Sequence, residues 1–454
     1  MIIIVGAGIS GLAAAFELRR RRVPFQVLEA SDRAGGLIRT EHLGGYTIDA
    51  GADSMLAAKP AARALCGELA LEPSIQNMSE PRTAYVLARD RLFPLPSPSV
   101  LGLPLTFRAA SRFTLLPMRA RMRVLLERFV PPAPAADESV ASLFRRRFGA
   151  ATVGLVAQPL LGGIHAGDVE ELSATTLFPT LGEAERSAGS ILRGLGNRHP
   201  PSSGAFFSLV EGMETLPAAI VRALPAEAVR YGAAVRAIAS DRGEWRVDTE
   251  GGGHRAAAVL LACPMHVSAR LLQAVDADAG RLCAAIGHTS TACVALGWPR
   301  AAVHHPLHGS GFVVSPVGSR FRVTACTWVS SKWEGRAPPG HVLLRAFIGG
   351  ARDRAAVDLP DEDLVSIACE DLSRALRISG PPEIVRVYRW RDASPQLVVG
   401  HDRRIRSVED RLSAHAGLFM TGRGFRAVGI PDCVADARRA AGVAADFVTR
   451  SHRG

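Results

Sequence analysis

The chain has 454 residues, 48% of them apolar, which is ample for a large buried core and excludes a disordered polypeptide. Its formal net charge is +11, and of 54 basic residues only Lys59 and Lys332 are lysine. That balance favours anionic partners such as a carboxylated substrate or acidic lipid, while the lack of any recognition motif or aromatic-basic interleaving argues against nucleic acid.

Met1 to Val5 form a short β-branched run, Gly6-Ala7-Gly8-Ile9-Ser10-Gly11 follows at once, and Leu12 to Arg22 reads as a helix. In this strand, glycine turn and helix, Gly6 permits the tight turn, Gly8 lets backbone approach a pyrophosphate and Gly11 lets helix pack on strand. The free N–H groups of the helix start, at Ile9 and Ser10, then point at phosphate. A second strand, Phe25 to Leu28, ends at Glu29, placed to accept hydrogen bonds from an adenosine ribose. The apolar start has no basic leader and is interrupted by glycines, so it reads as a core strand and not as a signal peptide.

Arg33-Ala34-Gly35-Gly36-Leu37-Ile38-Arg39-Thr40 adds a second glycine pair and two arginines, donors and close backbone approach where phosphate needs them. The pairing of both glycine motifs resembles the GG-doublet flavoproteins, which implies FAD in place of NAD. Tyr46 to Ser54 reads as a strand running into a Gly51-containing turn, followed by a helix over Pro60 to Leu69.

Tyr85 to Leu87 and Arg91 to Phe93 suggest a hairpin, after which proline recurs at 94, 96, 98 and 104. A helix over Pro117 to Phe129 places Met118, Met122, Leu125, Leu126 and Phe129 on one face and Arg119, Arg121, Arg123 and Arg128 elsewhere. Two environments suit such a face, the core of the protein or an anionic membrane surface. Pro131 to Ala136 reads as a loop, and Asp137 or Ser139 as the cap of a helix reaching Phe148.

Gln158 to Ser173 contains Gly162, Gly163 and Gly167 among apolar residues, which suits backbone lying against a flat ligand or a tight turn between helices. Residues 182–204, rich in Gly, Ser and Arg, predict a mobile loop. Strands are then expected over 206–211, 231–238, 244–248 and 257–263, with a helix over 212–224. Alternating runs between 289 and 350 predict an antiparallel sheet, covered by a helix over 361–376. Near the C-terminus, Gly417 to Met420 leads through glycines into a helix expected from about Asp432 to Arg450, whose N-terminus offers positive dipole to an electron-rich flavin edge.

The seven cysteines form no C-x-x-C pair, so neither a disulfide frame nor a zinc site is expected, and reduced thiols suit a cytoplasmic protein. No apolar run reaches the roughly 20 residues of a membrane span, which leaves the inner face of the membrane as a peripheral location. No Ser/His/Asp or Cys/His set and no metal-ligand spacing is present, and His165 reads as structural.

Taken together, GAGISGLAAAFEL at 6–18, GGLIRT at 35–40, GADS at 51–54, GGIHAGDVEELS at 162–173 and VGIPDC at 428–433 resemble the protoporphyrinogen oxidase family, including its coproporphyrinogen III oxidase branch. The resemblance implies an α/β fold of amine-oxidase type. Its discontinuous Rossmann-like FAD-binding domain would take 1–80, 205–270 and 390–454, an antiparallel-sheet substrate domain 81–95 and 271–389, and a helical, membrane-associating insertion 96–204.

It further implies FAD contacts at Gly6, Gly8, Ile9, Ser10, Gly11, Glu29, Arg33, Gly36, Leu37, Gly51, Ala52, Asp53, Ser54, Val235, Arg423, Val428, Gly429 and Ile430. Arg82 is implied to pair with a substrate propionate, and Val313, Phe347 and Gly163 to flank the tetrapyrrole. Asp53 is the one polar group offered for a catalytic role, and no base is named. Asp53, Arg423 and Ala427 depart from the residues usual in the family, which leaves the substrate open.

The implied reaction is stepwise hydride removal from a porphyrinogen, protoporphyrinogen IX first and coproporphyrinogen III as the alternative, with molecular oxygen as acceptor. A homodimer is allowed. Rival readings are an amine or carotenoid oxidase, for which Phe425 alone stands in for an aromatic cage, and a flavin-bound membrane scaffold.

Overall fold

The computed structural model describes residues 1–132, 137–196 and 205–451. Its first layer is a five-stranded parallel sheet in the spatial order Val229–Arg230, Phe25–Leu28, Ile2–Val5, Ala258–Leu261, Leu418–Met420. Ile2, Ile3 and Ile4 are all fully buried because both faces of the sheet are covered, which is why the strand is an unbroken apolar run. Ile2 and Ile4 pack under helices Ile9–Arg20 and Ile430–Ser451; Ile3 and Val5 pack against helices Met265–Leu272 and His401–Leu412.

The second layer is a seven-stranded sheet ordered Ile384–Pro395, His288–Pro299, His341–Gly349, Val323–Trp328, Gly311–Val314, Ala84–Ala88, Arg91–Pro94. It is antiparallel except where Gly311–Val314 runs parallel to Ala84–Ala88, so the purely antiparallel expectation needs that correction. Helix Asp361–Leu376 buries Leu364, Ala368, Leu372 and Leu376 on one side of it. Strand Ile384–Pro395 and helix Met265–Leu272 run across the expected divisions at 389/390 and 270/271.

The stretch between 96 and 196 carries a helical core of its own, built on helices that include Met118–Leu125, Val140–Phe148 and Pro179–Ala188. Arg147 and Glu127, both fully buried, form an ion pair in it, and Ser190 also donates to Glu127. An unpaired charge there would be costly, so the set is fully satisfied. Ser139 caps the helix at Val140 by accepting from the Ser142 amide at 3.1 Å.

Three local expectations change. Residues 182–196 are not a loop: helices Pro179–Ala188 and Ile191–Gly196 meet at Gly189 (φ +68°), and Arg146 ties Glu185 into the core at 2.6 Å. Residues 133–136 and 197–204 lie outside those described. The strand expected from 231 begins at Val235, because Gly232 and Ala233 donate instead to the Ser31 and Glu29 carbonyls. The C-terminal helix starts at Ile430, ahead of Asp432.

Candidate functional site

The glycine loop sits at the C-terminal end of the parallel strands, and its geometry leaves no choice of residue at two points. A Cβ on Gly11 would lie 1.8 Å from the Gly6 carbonyl oxygen. Gly36, at φ +57°, would press a Cβ to within 3.2 Å of the Gly8 Cα, so the two glycine motifs lie against one another. At Gly8 itself a Cβ would meet nothing, so open space remains on the side where helix Ile9–Arg20 presents its first amides.

Glu29 ends its strand with one carboxylate oxygen accepting from the Ala7 amide at 2.6 Å and the other from Ser31 at 2.9 and 2.8 Å. Those bonds hold the carboxylate beside the loop with lone pairs to spare for a ribose. Val235 is buried beyond it, on the strand that follows the Gly232 turn. Arg33 turns inward: it donates to the Ala34, Gly36 and Ile38 carbonyls and thereby folds the glycine doublet.

From Gly36 the site continues through Leu37, whose carbonyl oxygen lies against Gly51, into the turn Gly51-Ala52-Asp53-Ser54. Trp390 Nε1 donates to the Ala50 carbonyl at 2.9 Å and Arg345 Nη2 to the Gly51 carbonyl at 2.7 Å, so the second sheet holds this turn from above. Asp53 accepts from Lys332 Nζ at 3.0 and 3.2 Å and from Ser54 Oγ at 2.8 Å. Although burial opposes ionisation, Lys332 and Arg345 hold the Asp53 carboxyl far below the usual carboxylate range. A carboxylate held ionised between two cations is a poor proton acceptor.

The C-terminal turn closes the other side. Gly422 lies 3.4 Å from Ser10 Oγ by its virtual Cβ, and Ile430 joins the core cluster that Ile9 packs against. Gly429 donates weakly to Asp432 at 3.3 Å, and Lys59 grips both Asp432 oxygens at 2.7 Å. Val428 and Gly429 stay half-buried at the start of helix Ile430–Ser451. Arg423 donates to the Ala393 carbonyl at 2.8 Å and faces His165, whose pKa burial pushes down to about 4 with help from Arg423 and Lys59.

On the inner face of the seven-stranded sheet the register aligns Val313, Ala325, Phe347, Cys293 and Tyr388 in one row. Val313 and Phe347 thus share a face two strands apart, roughly 10 Å, with Arg345 on the same face two residues before Phe347. Gly163 is exposed at the end of a π-helix, Val153–Gly162, that contains Pro159; Gln158 anchors it to the Gly167 carbonyl at 2.9 Å. Arg82 is a third exposed, with its Nε 3.1 Å from Glu80 and donating to the Met78 carbonyl at 3.4 Å. Phe425 is buried among Ile3, Val5 and Met420 and presents no ring to the site. Lys332, Arg345 and Trp390 escaped the sequence reading; the rarity of lysine was the one signal available for Lys332.

A strand-turn-helix cradle, a ribose-facing acid, a second glycine turn and a closing C-terminal helix define a dinucleotide-dependent oxidoreductase of α/β fold. A family model described as flavin containing amine oxidoreductase matches residues 9–445. Coproporphyrinogen III oxidase of Bacillus subtilis (strain 168) is 35% identical over 95% of both chains, and that of Staphylococcus aureus 29% identical over 97% of this chain and 98% of the other. A crystal structure from Exiguobacterium sp. 255-15, provisionally assigned as a protoporphyrinogen oxidase, superposes with TM-score 0.88 at 31% identity and covers 98% of each chain.

The chain belongs to the flavin containing amine oxidoreductase family, on its porphyrinogen oxidase branch, and its cofactor is FAD. The residues fit that group: the open space at Gly8 beside the first helix amides suits a pyrophosphate, and the tethered Glu29 carboxylate suits a ribose.

Proposed function

We propose that the protein dehydrogenates a porphyrinogen to a porphyrin in haem biosynthesis, with molecular oxygen as the acceptor. Bound FAD supplies a two-electron acceptor. The chain supplies the phosphate cradle, with contacts from Gly6 to Gly11, Glu29, Gly36, Leu37, Gly51 to Ser54, Val235, Arg423 and Val428 to Ile430. It also supplies an apolar wall, Val313 and Phe347, suited to a flat macrocycle, with Gly163 giving clearance. Excluding water there favours hydride removal over side reactions. Three two-electron rounds carry six electrons from porphyrinogen to porphyrin and turn three oxygen molecules into peroxide.

The observation that carries this reading is the row of Val313, Ala325 and Phe347 along one sheet face, an apolar surface suited to a flat macrocycle. Sequence alone put protoporphyrinogen IX first. The named relatives weigh toward coproporphyrinogen III, whose four propionates also suit the +11 charge better than two. Arg82 is proposed to receive one propionate at the rim.

We also propose that the three sequence-defined parts act as FAD-binding, substrate-binding and helical units, and that the helical one touches an anionic membrane. Four of the five apolar residues expected on one helix face, Met118, Met122, Leu126 and Phe129, are 44–67% exposed, and Phe107 beside them is 70% exposed. Arg108, Arg112, Arg119 and Arg128 surround them in solvent. No helix among the described residues is long and apolar enough to cross a membrane.

Aerobic incubation with coproporphyrinogen III, protoporphyrinogen IX and a panel of amines, followed by porphyrin fluorescence and peroxide, tests the function. Porphyrin formation from either porphyrinogen, with matching peroxide, is expected. No fluorescence above the autoxidation blank, or turnover of an amine alone, overturns it.

A further inference from the structure

Lys59 and Lys332 are the only lysines among 54 basic residues; Lys59 stands at the N-cap of helix Pro60–Glu68 and Lys332 ends helix Val329–Lys332, each against an aspartate. An ammonium is a compact point charge where guanidinium is a broad planar fork, so lysine in an arginine-dominated chain marks two narrow cationic positions.

Around Lys332 the charges do not cancel. The side chains of Lys332, Asp53 and Arg345 are 12%, 14% and 2% exposed, with Asp53 Oδ2 3.0 Å from Lys332 Nζ and 3.9 Å from Arg345 Nη1. Arg336 and Asp49 behind them, 3.4 Å apart, are neutral as a pair. Among these five buried groups one positive charge is left over where water screens it poorly, while Glu211 faces Arg336 from the solvent side. Nε and Nη1 of Arg345 have no nitrogen or oxygen hydrogen-bond partner and lie by the Cys293 thiol, with the guanidinium over the Phe347 ring. The cluster also lies next along the cradle: Gly8 touches Gly36, Leu37 touches Gly51, and Asp53 follows, toward the face carrying Phe347.

We propose that Lys332 and Asp53 set the reduction potential of the bound flavin in opposite directions, Lys332 stabilising the electron-rich reduced ring and Asp53 opposing it. Reduction adds two electrons to the ring, so an adjacent buried cation favours the product and an adjacent carboxylate disfavours it. The inference rests on the FAD assignment and is independent of the substrate. A merely structural brace makes no such prediction, because loss of either partner would then loosen the same turn in the same way.

The test measures, on purified holoprotein, the two-electron midpoint potential and the affinity of the oxidised flavin for sulfite. Lys332→Met is expected to shift the redox equilibrium at least tenfold against reduction, about 30 mV for two electrons, and to weaken sulfite binding at least tenfold. Asp53→Asn is expected to move both quantities the other way. If Lys332→Met and Asp53→Asn move the potential in the same direction, or neither shifts it threefold, the proposal is overturned. Should Lys332→Met shed its flavin, Asp53→Asn decides alone, and an unchanged or lowered potential overturns it. A preparation with no flavin in the parent protein would fail the FAD assignment instead, a distinct result.

Discussion

His165 is 7% exposed and faces two cations, so its imidazole stays neutral down to a pKa of about 4 from an ordinary 6.5. Between those values the unfolded chain binds a proton that the native one refuses, so stability rises with pH across this window and is lost as pH falls through it. The expected outcome is a urea midpoint that climbs between pH 4.5 and 7 and climbs less in His165→Gln, the difference being at most about 3 kcal/mol. Arg82 behaves differently, because a third of its side chain is in water. Arg82→Ala is expected to raise KM for coproporphyrinogen III about fivefold, near 1 kcal/mol, with kcat and flavin content unchanged; loss of flavin would tie Arg82 to the fold.

The residues legible from sequence are those whose chemistry is local. Gly6 to Gly11 and Glu29 declare a cradle because turn, helix start and acid follow within one βαβ unit. Lys332 and Arg345 gain their meaning only from Asp53 and Gly51, nearly 300 positions away, and nothing in a one-dimensional pattern announces such a pairing.

At the scale of an element, helix Met118–Leu125 shows what periodicity conveys. Stepping by 100° groups Met118 with Met122 and Leu126, but the pattern does not say which side the protein covers. The structure buries Ala120, Val124 and Glu127 instead, the last because it pairs with Arg147. Removing charge with Arg119→Gln and Arg128→Gln is expected to release protein from vesicles of anionic phospholipid in a flotation assay, more completely as salt rises. Equal binding to neutral vesicles would count against the basic rim. The π-helix at Val153–Gly162 was invisible for a related reason: its period matches neither helix nor strand templates, and Pro159 reads as a breaker.

Across the whole molecule, the proposed FAD contacts come from parts that the sequence keeps far apart. The loop at Gly8, the turn at Gly51 and the helix start at Ile430 approach one another, so a cofactor seated among them would act as a strut. Stripping it is expected to lower the melting temperature. Adding FAD back at a hundredfold above its Kd is expected to restore about 2.7 kcal/mol, measured by calorimetry; equal melting of apo and holo protein would exclude that role. The layered fold was legible because its strands are strongly apolar, as in Ile2–Val5 and Ala258–Leu261. The packing of sheet against sheet was not, because Trp390 and Arg345 reach the flavin-facing turn across tertiary distance.

The parallel sheet takes its central strand from Ile2–Val5 and an edge from Leu418–Met420. On the ribosome, then, the nucleotide loop emerges and waits through about 400 residues of synthesis before its counterpart arrives. At about 5–20 residues per second that wait lasts tens of seconds, with the last strand's berth beside Ala258–Leu261 still vacant. A nascent polypeptide stalled before Leu418 is expected to stay colourless.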